Sequence, residues 1–153
     1  YDMAFDYRLI TDSIGDFRFN INYNLTDKDE DQQFAGDEVR NLRDHMQVFN
    51  YRSQVTATTN WRIDDWSTTL FARRTGSLPN WAETERCCAR TTYNMSVQYK
   101  ATEDLSILLI INNLQNKSPQ VDPTFNSYPY YFTGQVDGYG REYSLQFDYA
   151  FGY

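Results

Sequence analysis

Few residues of this chain have the chemistry of a reactive site, and they are scattered. His45 is the only histidine in 153 residues. A Ser-His-Asp arrangement or a histidine-rich metal site therefore lacks partners, and His45 reads as a solvated loop residue. The densest acidic run is Thr26-Asp27-Lys28-Asp29-Glu30-Asp31. Asp27, Asp29 and Asp31 stand at the spacing of the first three ligands of an EF-hand loop, with Glu38 at the twelfth position. Gln32 occupies the sixth position, where a glycine must turn, and no flanking helices are visible. These four carboxylates are a calcium candidate set against a plainer reading, an acidic loop that holds divalent cations loosely. No cofactor is expected. Cys87 and Cys88 are adjacent. They form either a vicinal disulfide or two thiols, whose thiolate forms Arg86 and Arg90 would favour. Trp81, Phe125, Tyr128, Tyr130, Tyr131 and Phe132 lie outside any strand pattern. Such aromatic bodies either stack on a ligand or pack on one another as a cap.

The elements that position these residues are legible from strict alternation. Over residues 17–25, Phe17, Phe19, Ile21, Tyr23 and Leu25 share one face while Arg18, Asn20, Asn22 and Asn24 share the other. A period of two marks a strand with one apolar and one polar face. Tyr93, Met95, Val97 and Tyr99 repeat it, as do Tyr143, Leu145, Phe147, Tyr149, Phe151 and Tyr153 at the end of the chain. Weaker copies cover residues 1–9, 51–63 and 66–74. Residues 105–111 carry Leu105, Ile107, Leu109 and Ile111 on one face but Leu108 and Ile110 on the other, which leaves the assignment of that strand's faces open. The count is seven strands and no helix. Three connections are short, at 11–16, 64–65 and 101–104. The other three are long, at 26–50, 75–90 and 114–139. Short and long alternate, as in an up-and-down sheet with tight turns at one end and long loops at the other.

Composition narrows the class. Aromatic residues make up 17% of the chain, so disorder does not describe it. A net charge of −7 argues against a nucleic-acid partner, which wants a basic face. No run approaches the ~20 apolar residues of a membrane helix. A membrane strand that alternates lipid-facing and lumen-facing residues keeps its mean hydropathy low, so low hydropathy does not exclude a membrane. Soluble barrels and sandwiches also have amphipathic strands. Two features favour the membrane: Tyr and Trp at strand ends, as interface girdles require, and opposite faces too polar for the core of a small soluble barrel.

The last 50 or so residues carry a more specific pattern. Asp104-Leu105-Ser106-Ile107 is followed by Asn112-Asn113-Leu114-Gln115-Asn116-Lys117-Ser118-Pro119, then by Gly140-Arg141-Glu142-Tyr143 and alternating aromatics. This resembles the carboxyl-terminal end of TonB-dependent receptors of the Gram-negative outer membrane. The terminal Tyr153, where the family usually has Phe, departs mildly from the pattern. The resemblance implies a 22-stranded barrel closed by an amino-terminal plug that contacts TonB. Nothing in this chain resembles the plug. The expectation is therefore an all-β, antiparallel, up-and-down transmembrane segment of about seven strands, with residues 1–153 as the carboxyl-terminal portion of a larger barrel.

The function implied is non-enzymatic: barrel wall and extracellular loops of a receptor for active uptake of a scarce nutrient such as siderophore-iron, a corrinoid or a carbohydrate. Trp81, Phe125, Tyr128, Tyr130 and Tyr131 are then the candidate ligand contacts. The implied partners are the rest of the barrel and the plug, lipid and lipopolysaccharide, TonB through the plug alone, and the outer-membrane assembly machinery through the last strand. The alternatives are a structural or translocator barrel without uptake, and a soluble binding barrel.

Overall fold

The computed structural model describes residues 1–46, 51–134 and 136–151. In chain order the elements are β1 (Asp2–Leu9), β2 (Asp16–Leu25), β3 (Glu30–Asp31), β4 (Arg40–Asn41), a 3-10 turn (Leu42–Asp44), β5 (Ser53–Ile63), β6 (Trp66–Thr75), β7 (Leu78–Pro79), β8 (Arg86–Cys87), β9 (Arg90–Lys100), β10 (Leu105–Asn112) and β11 (Glu142–Tyr149). No α-helix occurs among the described residues. Seven of these strands form one antiparallel sheet in the order β1-β2-β5-β6-β9-β10-β11. That order is the sequence order of the long strands, so each pairs with its neighbours in the chain, as the alternating short and long connections require. The sheet is open: β1 and β11 are its two edges and do not pair with each other. Two small hairpins, β3-β4 and β7-β8, lie in the long loops.

Register joins the amphipathic faces into one. Leu9, Phe17 and Trp61 lie side by side across β1, β2 and β5. Phe5, Ile21, Ala57 and Ala72 make a second cross-strand row, continued by Tyr93. Trp66, Tyr99, Ile107 and Phe147 make a third. The same pairing settles β10: Leu109 sits between Val97 and Leu145, whereas Leu108 sits between Gln98 and Gln146. Leu105, Ile107, Leu109 and Ile111 thus belong to the apolar face, and Leu108 and Ile110 are apolar exceptions on the polar one. Cross-strand pairs are the unit of sheet stabilisation. The apolar rows use aromatic ones, including Phe17 on Trp61 at 6.2 Å and Trp66 on Tyr99 at 4.4 Å between ring centroids. On the polar face Asn20 donates to Asp6 at 3.0 Å and Asn24 to Asp2 at 2.6 Å. These pairs are exposed and individually add little to stability.

Among the described residues no second layer covers either face. Among the described residues the buried hydrophobic ones are Met46 and Leu78, each 3% exposed, and both lie in the loops rather than the seven-stranded sheet. Leu145, in the middle of β11, is 59% exposed. The chain exposes 10980 Å², whereas a water-soluble monomer of its mass exposes about 8,100 Å² on the usual area-to-mass scaling. The difference is what a single-layer amphipathic sheet leaves uncovered.

The short connections occupy one end of the sheet. Gly15 adopts φ +85°, and a Cβ there would collide with the Arg62 carbonyl oxygen and the Ile63 side chain. The first turn can pack this closely on β5 only because Gly15 has no side chain, and Trp61 Nε1 holds it by donating to the Ile14 carbonyl at 2.8 Å. The last strand is shorter than its alternation implies. Tyr149 pairs with Leu105, where β10 begins. The Ala150 N–H reaches the Asp104 carbonyl at 2.8 Å, and beyond that the neighbouring chain has already turned away. Phe151 therefore lies past the ladder, and Tyr153 is outside the described residues.

Candidate functional site

The three long loops meet at the opposite end of the sheet and hold one another. Glu83, in the loop between β6 and β9, reaches the loop between β2 and β5: one carboxylate oxygen accepts the Met46 N–H at 2.9 Å and the other lies 3.2 Å from His45 Nδ1. The Met46 N–H draws the Glu83 pKa below the usual range against the opposing effect of burial, and the pairing with His45 adds to the lowering. His45 is thus paired rather than simply solvated, contrary to the sequence expectation. Its partner lies 38 residues away, beyond what local spacing reveals. Arg86 extends the same seam by donating to the Arg43 carbonyl at 2.9 Å and to Asp44 at 3.4 Å.

Asp122 ties the second and third loops together. Its buried carboxylate accepts the Trp81 N–H at 2.7 Å, the Thr124 N–H at 2.9 Å and the Thr124 hydroxyl at 2.7 Å. Burial pushes its pKa up, but these three hydrogen bonds favour the charged form and hold it below the usual carboxylate range. The Ala82 N–H donates to the Thr124 hydroxyl at 3.1 Å. The local signal was present in Asp122-Pro123-Thr124, a turn-forming run in which the aspartate bonds the backbone two residues on. What the sequence concealed was the second loop, delivered to the same carboxylate. Asn80 does similar work inside its own loop, accepting the Thr84 N–H at 2.9 Å.

The base of the third loop is closed by residues of the quoted carboxyl-terminal pattern. Asn113, buried, with φ 51°, accepts the Lys117 N–H at 3.0 Å and donates to the Lys117 carbonyl at 3.1 Å, while its own N–H reaches the Asn94 side chain. Asn116 accepts the Arg141 N–H at 2.9 Å, so it fixes where the last strand begins.

The candidate aromatic contacts divide. Trp81, Phe125 and Phe132 pack on one another, with ring centroids 5.0 Å apart for Trp81 and Phe125 and 5.5 Å for Trp81 and Phe132. They form a half-exposed aromatic cluster within the cap. Tyr128 and Tyr130 meet edge to face at 6.2 Å and project outward, Tyr128 being 87% exposed. Tyr131 and Phe132 line a cavity of about 300 Å³ beneath the cap. Cys87 and Cys88 are joined in a vicinal disulfide, which forms another part of the cavity wall. Arg90 and Lys117 also line it. Sequence reasoning treated Arg90 only as a neighbour of the cysteines and did not single out the Lys117 side chain.

The calcium candidates do not gather. Among the described residues no group of three or more His, Cys, Asp or Glu side chains is placed to hold a metal ion. Asp31 pairs with Arg40 at 3.1 Å across the β3-β4 hairpin, and Lys28 with Glu30 at 3.7 Å. The Asp27 and Asp29 carbonyls accept from Arg43 and from the Leu42 N–H. The loop forms a hairpin instead of wrapping an ion: Gln32 replaces the glycine that would turn it, and Arg40 takes up the Asp31 carboxylate.

Comparison with known proteins gives no match: no family model, curated protein or solved structure is significantly similar to this chain.

Proposed function

We propose that this chain forms part of the wall and the extracellular loops of an outer-membrane β-barrel of the TonB-dependent receptor kind, which takes up a scarce nutrient. The observation that carries this reading is the apolar face. It runs over seven strands with Thr59, Thr68 and Arg74 among its polar positions, has no layer of the described residues against it, and is backed by a face mainly of Asn, Gln, Ser, Thr and charged residues, with Phe71, Leu108 and Ile110 as apolar exceptions. Lipid on one side and water on the other is the environment that suits both faces at once. The rows along that face fit as well. Phe17, Trp61, Trp66, Tyr99 and Tyr149 stand toward the turn end, Tyr23, Tyr93 and Tyr143 toward the loop end, and Ile21, Leu70, Met95, Leu109 and Leu145 between. Tyr and Trp toward both ends of an apolar band, which here also holds Phe5, Phe19 and Phe147, are the pattern of membrane barrels. β5 and β9 have 11 residues each, within the ~9–11 needed to cross a bilayer at a tilt.

The open edges favour a larger barrel. Unpaired backbone groups in hydrocarbon cost several kcal/mol each, so β1 and β11 need further strands beside them. Such a wall performs no bond chemistry. It separates lipid from a wet interior, and its linked loops select what enters. The polar face and the plug it would enclose, lipopolysaccharide around the rim, TonB reached through the plug, and assembly machinery acting on the last strand follow from the resemblance of residues 104–153.

Spin labels placed one at a time at positions 144 to 147 of the membrane-reconstituted protein test the reading. Labels at 145 and 147 should collide with dissolved oxygen, and labels at 144 and 146 with a water-soluble nickel complex. Equal access of all four to the nickel complex would remove the membrane from the proposal. Ligand uptake that persists in cells lacking TonB would leave the wall and remove the transporter.

A further inference from the structure

The cavity under the loop cap has a composition that the transport reading does not call for. Its lining combines apolar groups, Met46, Tyr131, Phe132 and the Cys87–Cys88 disulfide among them, with the cations Arg90 and Lys117 and the polar Ser118 and Gln120. Among the described residues, neither cation has a carboxylate within ion-pair distance. Arg90 donates one N–H to the Asp137 carbonyl at 3.4 Å. The one carboxylate in the lining is Asp122, and its oxygens are already occupied by Trp81 and Thr124. Guanidinium groups pair best with planar carboxylates. The volume, about 300 Å³, stands at the small end of the range for small-molecule sites.

We propose that this cavity is a binding site for a small organic anion, a carboxylate on a compact aromatic body. The carboxylate is held by Arg90 and Lys117, and the ring lies against Tyr131, Phe132 and the disulfide. The site is built from all three loops and from the first residue of β9, so it exists only when the cap is closed. It stands apart from the question of TonB, because binding needs no energy input.

The test is isothermal titration of the folded protein in detergent with four probes: benzoate, benzyl alcohol, benzylamine and inorganic phosphate. Benzoate should bind, and the other three at least about tenfold more weakly, as the loss of either the charge-assisted bonds or the apolar contact implies. Arg90→Gln and Lys117→Gln should each weaken benzoate by a similar factor, while Lys28→Gln, on another part of the loops, should leave it unchanged. Lys117 is exposed, so its variant keeps the test valid should Arg90→Gln disturb the cap. The proposal is overturned if benzoate does not bind, if benzyl alcohol, benzylamine or phosphate binds equally well, or if Lys117→Gln leaves the benzoate affinity unchanged.

Discussion

Leu108 and Leu109 are adjacent residues of one type on one strand, and they differ only in the face they occupy. Leu109 lies between Val97 and Leu145, in the aliphatic middle of the apolar face, and Leu108 between Gln98 and Gln146. Arginine at each position therefore isolates the effect of the face from those of residue type, strand and depth. If the apolar face meets lipid, Leu109→Arg near the bilayer midplane costs about 2–4 kcal/mol, and the same change near an interface about 0–1. Leu108→Arg places its guanidinium in water and costs less than about 1 kcal/mol, mainly through lost contacts of the leucine body. A series along the strand sharpens the expectation. Arginine at 105, 107, 109 and 111 should give a cost that peaks in the middle, because Leu105 pairs with Tyr149 and Ile111 with Tyr143 at the two aromatic rows. A protein layer over the same face would penalise a buried charge at every covered position with no such profile. The assay is reversible urea unfolding from lipid vesicles followed by tryptophan fluorescence. Equal costs at 108 and 109 would refute the face assignment, and a flat series would refute lipid as the covering medium.

Three further outcomes follow from the turns and the cap. Gly15→Ala should destabilise the protein by more than about 1 kcal/mol in the same titration, since alanine disfavours positive φ and its Cβ meets the Arg62 carbonyl. Asn113→Ala strands buried partners at the base of the third loop and should cost about 1–3 kcal/mol, read as faster proteolysis of the 114–139 segment with the sheet signal intact. Acid should open the cap before it melts the sheet. Glu83 and Asp122 both have native pKa values lowered from the usual range, so their contribution is complete above the ordinary carboxylate pKa and is lost as pH falls through the lower native values. Hydrogen exchange at the Met46 and Trp81 amides should accelerate over that window, and Asp122→Asn should abolish the acid response at Trp81.

The sequence by itself determined what repeats over a short range. Alternation at Phe17–Leu25 or Tyr143–Tyr149 shows in any window of a few residues, because side chains of a strand point to opposite sides in turn. Short and long connections then leave little choice but a meander of neighbouring strands, which is the sheet observed. Three matters were decided only by the tertiary structure. The face of β10 depends on which neighbours flank Leu109, and a one-residue slip would exchange Leu108 for it. The openness of the sheet depends on where its two edges lie in space. The cap depends on contacts over long separations: His45 with Glu83, Trp81 with Asp122, and Arg90 beside Lys117 in one cavity. Local spacing cannot encode such meetings. Loops carry no period, and the strands that bring their ends together are fixed by pairing rather than by the loop residues themselves. The EF-hand-like spacing shows the converse: Asp27, Asp29, Asp31 and Glu38 matched a pattern in sequence, and the chain around them folded into a hairpin that brings no three such side chains together to hold a metal among the described residues.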